Sequence, residues 1–171
     1  MGALGGALLI QKEVFSWHVD ITEEEARALI PEFDSRGLLP QGIHRATWEE
    51  IVKRFGSNQR RRKLLRGLKE ALDLLKEAGC RHVYVDGSFV TAKRLPNDID
   101  VCWDIDGVDA MSLDSVFFDF DHGRAAQKAR FGSEFFPAQG PQGLRTFLDF
   151  FQIDKETGES KGIVKLFLDD G

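Results

Sequence analysis

Apolar residues along this chain recur with two distinct periods, and the periods divide it into elements. From Gln59 to Ala78, Leu64, Leu65, Leu68, Leu72 and Leu75 return at helical spacing, and Gly79 stands where a left-handed cap ends a helix. Thr47-Trp48-Glu49-Glu50 has the spacing of a capping box, so a shorter helix is predicted from there to Phe55. Thr22, followed by three glutamates, predicts another helix that stops at Pro31, and Gly37 to Gly42 reads as loop. Strand patterns cover Leu8 to Trp17, His82 to Val85, Ile99 to Ile105, Thr146 to Gln152 and Ile163 to Leu168, the last two joined by the polar turn Asp154 to Gly158. Asp121 before His122 to Lys128 reads as the N-cap of a further helix. From Gln59 onward the expected order is helix, strand, strand, helix, strand, strand. No repeat or Pro/Gly/Ser-rich linker divides the chain, so one domain over 1–171 is expected, with an N-terminal extension (1–45), a helical segment (46–79) and a sheet (80–171).

Composition narrows the class. The chain has 171 residues, 42% hydrophobic and 30% charged, which suits a single packed core and excludes disorder. No apolar run approaches the ~20 residues of a membrane-spanning helix, and no export or lipidation signal stands at Met1 to Gly6, so no membrane partner and a cytoplasmic location are expected. Two cysteines, Cys80 and Cys102, lack metal-ligand spacing and fit a reducing compartment. The net charge of −5 conceals a division: residues 51–94 carry twelve Lys/Arg against four Asp/Glu, while both flanks are acidic. That basic stretch includes Arg60, Arg61, Arg62, Lys63 and Arg66 in the first turns of the predicted helix, where cations are disfavoured. Either they form a solvated face or they contact the phosphates of an RNA acceptor.

The chemistry-bearing pattern is Asp98-Ile99-Asp100 at the start of a strand. Side chains alternate across a strand, so the two carboxylates share a face roughly 7 Å apart at Cα, and like charges so placed ask for a cation. Hard oxygen donors suit Mg²⁺ or Mn²⁺, and such ions can hold the attacking and leaving oxygens of an in-line displacement. Gly87-Ser88, with nine residues between Ser88 and Asp98, directly follows a buried strand; glycine permits close backbone approach and the serine hydroxyl can meet a phosphate oxygen. Asp119 and Asp121 form a second D-x-D without a Lys or His in a recognisable nuclease pattern, and the four histidines form no triad or H-x-x-x-H.

The run Val83-Tyr84-Val85-Asp86-Gly87-Ser88-Phe89-Val90-Thr91, continued by Pro96-Asn97-Asp98-Ile99-Asp100-Val101, resembles the signature of the polymerase beta-type nucleotidyltransferase superfamily, particularly its minimal nucleotidyltransferases. From about Leu39 through Gly162 the chain also resembles an uncharacterised bacterial family of short proteins related to toxin-antitoxin and phage-defence nucleotidyltransferases. The resemblance implies an α+β nucleotidyltransferase fold, a small mixed sheet with helices mainly on one face. It also implies triphosphate binding by Gly87 and Ser88, and Mg²⁺ held by Asp98, Asp100 and a third acid, for which Asp149 or Asp154 is the candidate. The arginine that those enzymes carry three residues after the serine is Thr91 here, and Lys93 or Arg94 can supply the charge instead. The implied function is transfer of NMP from an NTP to a hydroxyl of RNA, such as tRNA, or of protein, with a cognate toxin or antitoxin as a further partner. The alternative is a non-catalytic module of the same fold that binds a nucleotide or a partner protein.

Overall fold

The computed structural model describes residues 30–139 and 146–168. The strand expected at Leu8 to Trp17 and nearly all of the helix expected from Thr22 lie outside them. Within them the chain is a mixed α/β fold: a five-stranded open sheet and four helices. The order is β1 (Gly42–Ala46), α1 (Trp48–Phe55), α2 (Gln59–Glu77), β2 (His82–Asp86), β3 (Ile99–Trp103), α3 (Asp121–Phe131), β4 (Ser133–Pro137), α4 (Phe147–Phe151) and β5 (Gly162–Phe167). Short 3₁₀ turns at Gly87–Val90 and Ser115–Phe118 complete it. The strands lie in the order β1-β5-β2-β3-β4, with β1 parallel to β5, β3 parallel to β4, and β2 antiparallel to both of its neighbours. No helix among the described residues is long and apolar enough to cross a membrane.

One face of the sheet carries Val83, Val85, Ile99, Val101, Phe135 and Val164, packed against Ile51 and Phe55 of α1, the α2 leucines and Phe131 of α3. The predicted leucine stripe is that buried surface. Thr47 forms the expected capping box, its hydroxyl accepting from the Glu50 N–H at 3.2 Å while Glu50 accepts from the Thr47 N–H at 2.7 Å. In α2, Gly67 packs so closely on the Phe131 carbonyl that a Cβ has no room, which lets the end of α3 approach. The opposite face carries Tyr84, Cys102 and Phe136 beneath Phe151 and Leu148 of α4. Helices therefore lie mainly on one face, as expected.

Two expectations are corrected, and two strands are added. Residues 146–152, read as a strand, form α4: Phe147 and Phe151 are also i and i+4, and Thr146 with Asp149 builds a second capping box. Asp121 is not an N-cap side chain; its N–H donates to Asp119 Oδ1 at 3.1 Å, and α3 opens through a left-handed turn at His122, Gly123 and Arg124. Strands β1 and β4 were not foreseen, because Gly42–Ala46 and Ser133–Pro137 show no apolar alternation of useful length.

Candidate functional site

The site grows from strand register. Asp86, the last residue of β2, lies directly opposite Asp100 of β3, and Glu134 of β4 lies directly opposite Asp100 on its other side. Directly paired residues share a sheet face, so three carboxylates from adjacent strands form one row, with Asp98 joining it two residues before Asp100. Three cations answer the row. Lys161 pairs with Asp86, which is only 2% exposed. Lys128 of α3 stands 3.1 Å from Glu134 and 3.8 Å from Asp98. The Arg124 guanidinium lies 3.8 Å over the Phe136 ring, and its Nε donates to the Phe135 carbonyl at 3.1 Å. That guanidinium is also within the field of Glu134 and Asp100.

Charge compensation is uneven. Burial, then the charges of Asp98, Asp86 and Glu134, and a hydrogen bond shared with Glu134 raise the Asp100 carboxyl to about 7. Burial also raises the Asp86 carboxyl, with Lys161 pulling against it. Gly87, at φ +75°, packs on the Asp100 carboxylate with no space for a Cβ. Gly87→Ala is therefore expected to cost at least the ~1–2 kcal/mol of left-handed backbone and to displace Asp100, read as a lower denaturation midpoint at constant slope.

The Gly-Ser turn is held from behind by the basic start of α2. Arg61, 4% exposed, donates to the carbonyls of Phe89 (2.7 Å), Thr91 (2.9 Å) and Lys93 (2.6 Å), and more weakly to Phe55. Arg60 donates to the carbonyls of Pro96 (3.0 Å) and Asn97, immediately before Asp98. Asn58 caps α2 and donates to the Arg94 carbonyl at 2.9 Å. Loop carbonyls are thus what compensates cations at this helix start. Arg60 and Arg61, expected as acceptor contacts, instead fasten the segment between Gly87 and Asp98; Arg62 is exposed and bonds the Gly56 carbonyl at 3.1 Å, and Arg66 is exposed. Thr91, expected on phosphate, donates to the Ser88 carbonyl at 2.8 Å and accepts from the Lys93 N–H at 3.1 Å. Lys93 itself is exposed and Ser88 half-buried.

Neither expected third acid belongs to the row. Asp149 caps α4, accepting from the Thr146 N–H (3.1 Å) and hydroxyl (2.8 Å), and faces a shallow pocket with Gln41, Gln152, Ile153 and Ser160. Asp154 closes its own turn by accepting from the Thr157 N–H (3.1 Å) and hydroxyl (2.8 Å). Besides Asp86, which Lys161 already pairs, the acid beside Asp100 is Glu134. Its only sequence signal is an acid ahead of Phe135-Phe136 just after a helix.

As the side chains stand, no group of three or more His, Cys, Asp or Glu among the described residues is arranged to hold a metal ion. The donor set nevertheless suits one: all oxygen and rich in negative charge, with the Asp100 carboxyl raised first by burial and then by neighbouring charges that a hard divalent cation would offset. A second cavity, ≈ 300 Å³ and lined by Arg45, Trp48, Lys69, Leu72 and Phe167, sits at the other end of β1 and β5. Residues 31–167 match the family described as "Family of unknown function (DUF6932)". No curated protein and no solved structure matches the chain.

Proposed function

We propose that this chain, which belongs to the family of unknown function DUF6932, transfers a nucleoside monophosphate from an NTP to a hydroxyl of an RNA or protein acceptor. The observation that carries the reading is the juxtaposition of the Gly87-Ser88 turn with Asp98, Asp100 and Glu134 at one end of one sheet face. Asp98, Asp100 and Glu134 would hold Mg²⁺ or Mn²⁺, which when bound supplies positive charge to a triphosphate and to the oxygens that exchange at its α-phosphorus. Ser88 offers a hydroxyl to a phosphate oxygen, and Lys93 an exposed ammonium. The acceptor oxygen bonds to the α-phosphorus while the bond to the bridging oxygen of the β-phosphate breaks. Pyrophosphate then departs with the electron pair, and the acceptor's proton passes to a carboxylate of the row. Arg124, held on Phe136, adds fixed positive charge where the phosphates gather and Lys128 adds a half-exposed ammonium, so positioning and electrostatics carry the acceleration. A toxin-antitoxin or phage-defence setting, with a cognate partner, belongs to the same proposal.

The unconverged carboxylates favour a second reading, a module that binds nucleotide or a partner without turnover. Incubation with Mg²⁺ and each α-labelled NTP, with and without total tRNA and lysate protein, separates the two. Label on an acceptor with release of pyrophosphate supports the enzyme. Nucleotide binding without transfer supports the module.

A further inference from the structure

We infer that Lys128 occupies the cation position of the acid row until a divalent ion displaces it, and that the displaced ammonium then becomes a ligand of the triphosphate. This rests on the nucleotidyltransferase reading and assigns it a residue that the sequence pattern did not reveal. The row has three kinds of cationic neighbour, and they differ in freedom to move. Lys161 and Asp86 are buried at both ends of their pair, 11% and 3% exposed at the side chain, so that pair is a fixed part of the fold. Arg124 is held by a carbonyl and by aromatic stacking. Lys128 alone of the three joins two strands of the row, Asp98 before β3 and Glu134 on β4, while its own side chain is 43% exposed.

The backbone beneath Lys128 does not need to move. Its neighbour Gln127 is fully buried; the Gln127 amide donates to the carbonyls of Val116 (3.0 Å) and Asp119 (3.2 Å) and accepts from the Phe135 N–H at 2.8 Å, which ties α3 to β4. Arg130, on the same turn, pairs instead with Glu70 and Asp114, both at 2.9 Å. Only the flexible four-carbon stem of Lys128 separates its present position from another a few ångströms outward. Ion pairs open to solvent at the lysine end are weak and readily exchanged, whereas a divalent ion on three carboxylates gains the full field of the row. An ammonium expelled from between Asp98 and Glu134 emerges on the solvent side of that ion, where the triphosphate it has attracted must lie. One side chain would thus keep the empty row from repelling itself and then couple arrival of the cation to capture of the nucleotide.

The test uses the full chain and two titrations by calorimetry: Mn²⁺ alone, and each of the four α,β-methylene NTP analogues in saturating Mn²⁺. For K128Q the expected result is Mn²⁺ binding about 3–5-fold tighter than wild type, the size set by loss of a weak exposed competitor. Analogue binding should be about 10-fold weaker, one charged phosphate contact. Unchanged or weaker Mn²⁺ binding by K128Q, while Asp98→Asn still abolishes it, overturns the role of Lys128 and leaves the metal site standing. Unchanged analogue binding overturns the transfer of the ammonium to phosphate. If Asp98→Asn binds Mn²⁺ as wild type does, the nucleotidyltransferase reading falls, and this inference with it.

Discussion

Arg61→Ala is expected to lower the stability of the fold by about 3–5 kcal/mol, the largest loss for any substitution outside the apolar core. The guanidinium is buried and supplies hydrogen bonds to the carbonyls of Phe89, Thr91 and Lys93, with its plane over the Phe89 ring at 5.2 Å. Alanine would leave those acceptors without their donor in a space closed to water, and a cavity beside Phe55 and Phe89. Burial already pulls the guanidinium's pKa down, yet the group stays charged at any working pH. Arg61→Lys should rescue little, because a single ammonium cannot reach acceptors spread over five residues in the fork geometry that arginine offers. Arg60→Ala, at a half-exposed position, should lose only about 1 kcal/mol. Urea unfolding of the three variants measures the order. Equal stability of Arg61→Ala and wild type would mean that the loop does not depend on this side chain.

Asp100→Asn is expected to move stability the other way in the absence of metal. The Asp100 carboxyl rises from its ordinary 3.8 in the unfolded chain to about 7 in the fold, so between these values the folded state holds the extra proton. The contribution of Asp100 to wild-type stability is therefore greatest at the acid end and declines as pH climbs through about 4 to about 7. Asparagine carries no charge at any pH and escapes that decline. The variant should be more stable than wild type at pH 8 by on the order of 2–4 kcal/mol, with the advantage fading toward pH 4. Saturating Mg²⁺ should reverse the ranking, since a ligand bound by the native wild type alone stabilises it by mass action. Thermal unfolding at pH 4, 6 and 8, with and without Mg²⁺, reads both effects. A variant no more stable than wild type at pH 8 without metal would show that neither burial nor the neighbouring carboxylates disfavour the Asp100 charge.

What the chain disclosed in advance follows from range. Helices α1 and α2 were legible because capping and a leucine stripe are properties of consecutive residues, and Gly87, Ser88, Asp98 and Asp100 stood out because they fall within one short run. Glu134 and Lys128 could not be grouped with them in advance, because only the pairing of β3 with β4 and the placement of α3 bring them there; Asp86 stands in the run, but only the pairing of β2 with β3 sets it opposite Asp100. The β4 segment gives little local signal, being five residues long and ending in proline. Asp149 looked suitable because Phe147, Asp149 and Phe151 satisfy a strand's alternation, yet the Thr146–Asp149 spacing satisfies a helix start equally well, and packing on Phe136 decides for the helix. The run Arg60-Arg61-Arg62 suggested an outward basic face; the carbonyls that absorb Arg60 and Arg61 come from about 30 residues further along, beyond any local window.

The central claim is that Asp98, Asp100 and Glu134 act as one cation-binding row, with Asp149 outside it. The most direct measurement is the rate of Mg²⁺-dependent label transfer from an α-labelled NTP by wild type, Glu134→Gln and Asp149→Asn, assayed together on the acceptor that wild type labels. The account predicts that Glu134→Gln loses about 10²-fold or more, while Asp149→Asn stays within a few-fold of wild type. Transfer that survives Glu134→Gln and disappears with Asp149→Asn, or a wild type that transfers no label to any acceptor, would contradict it.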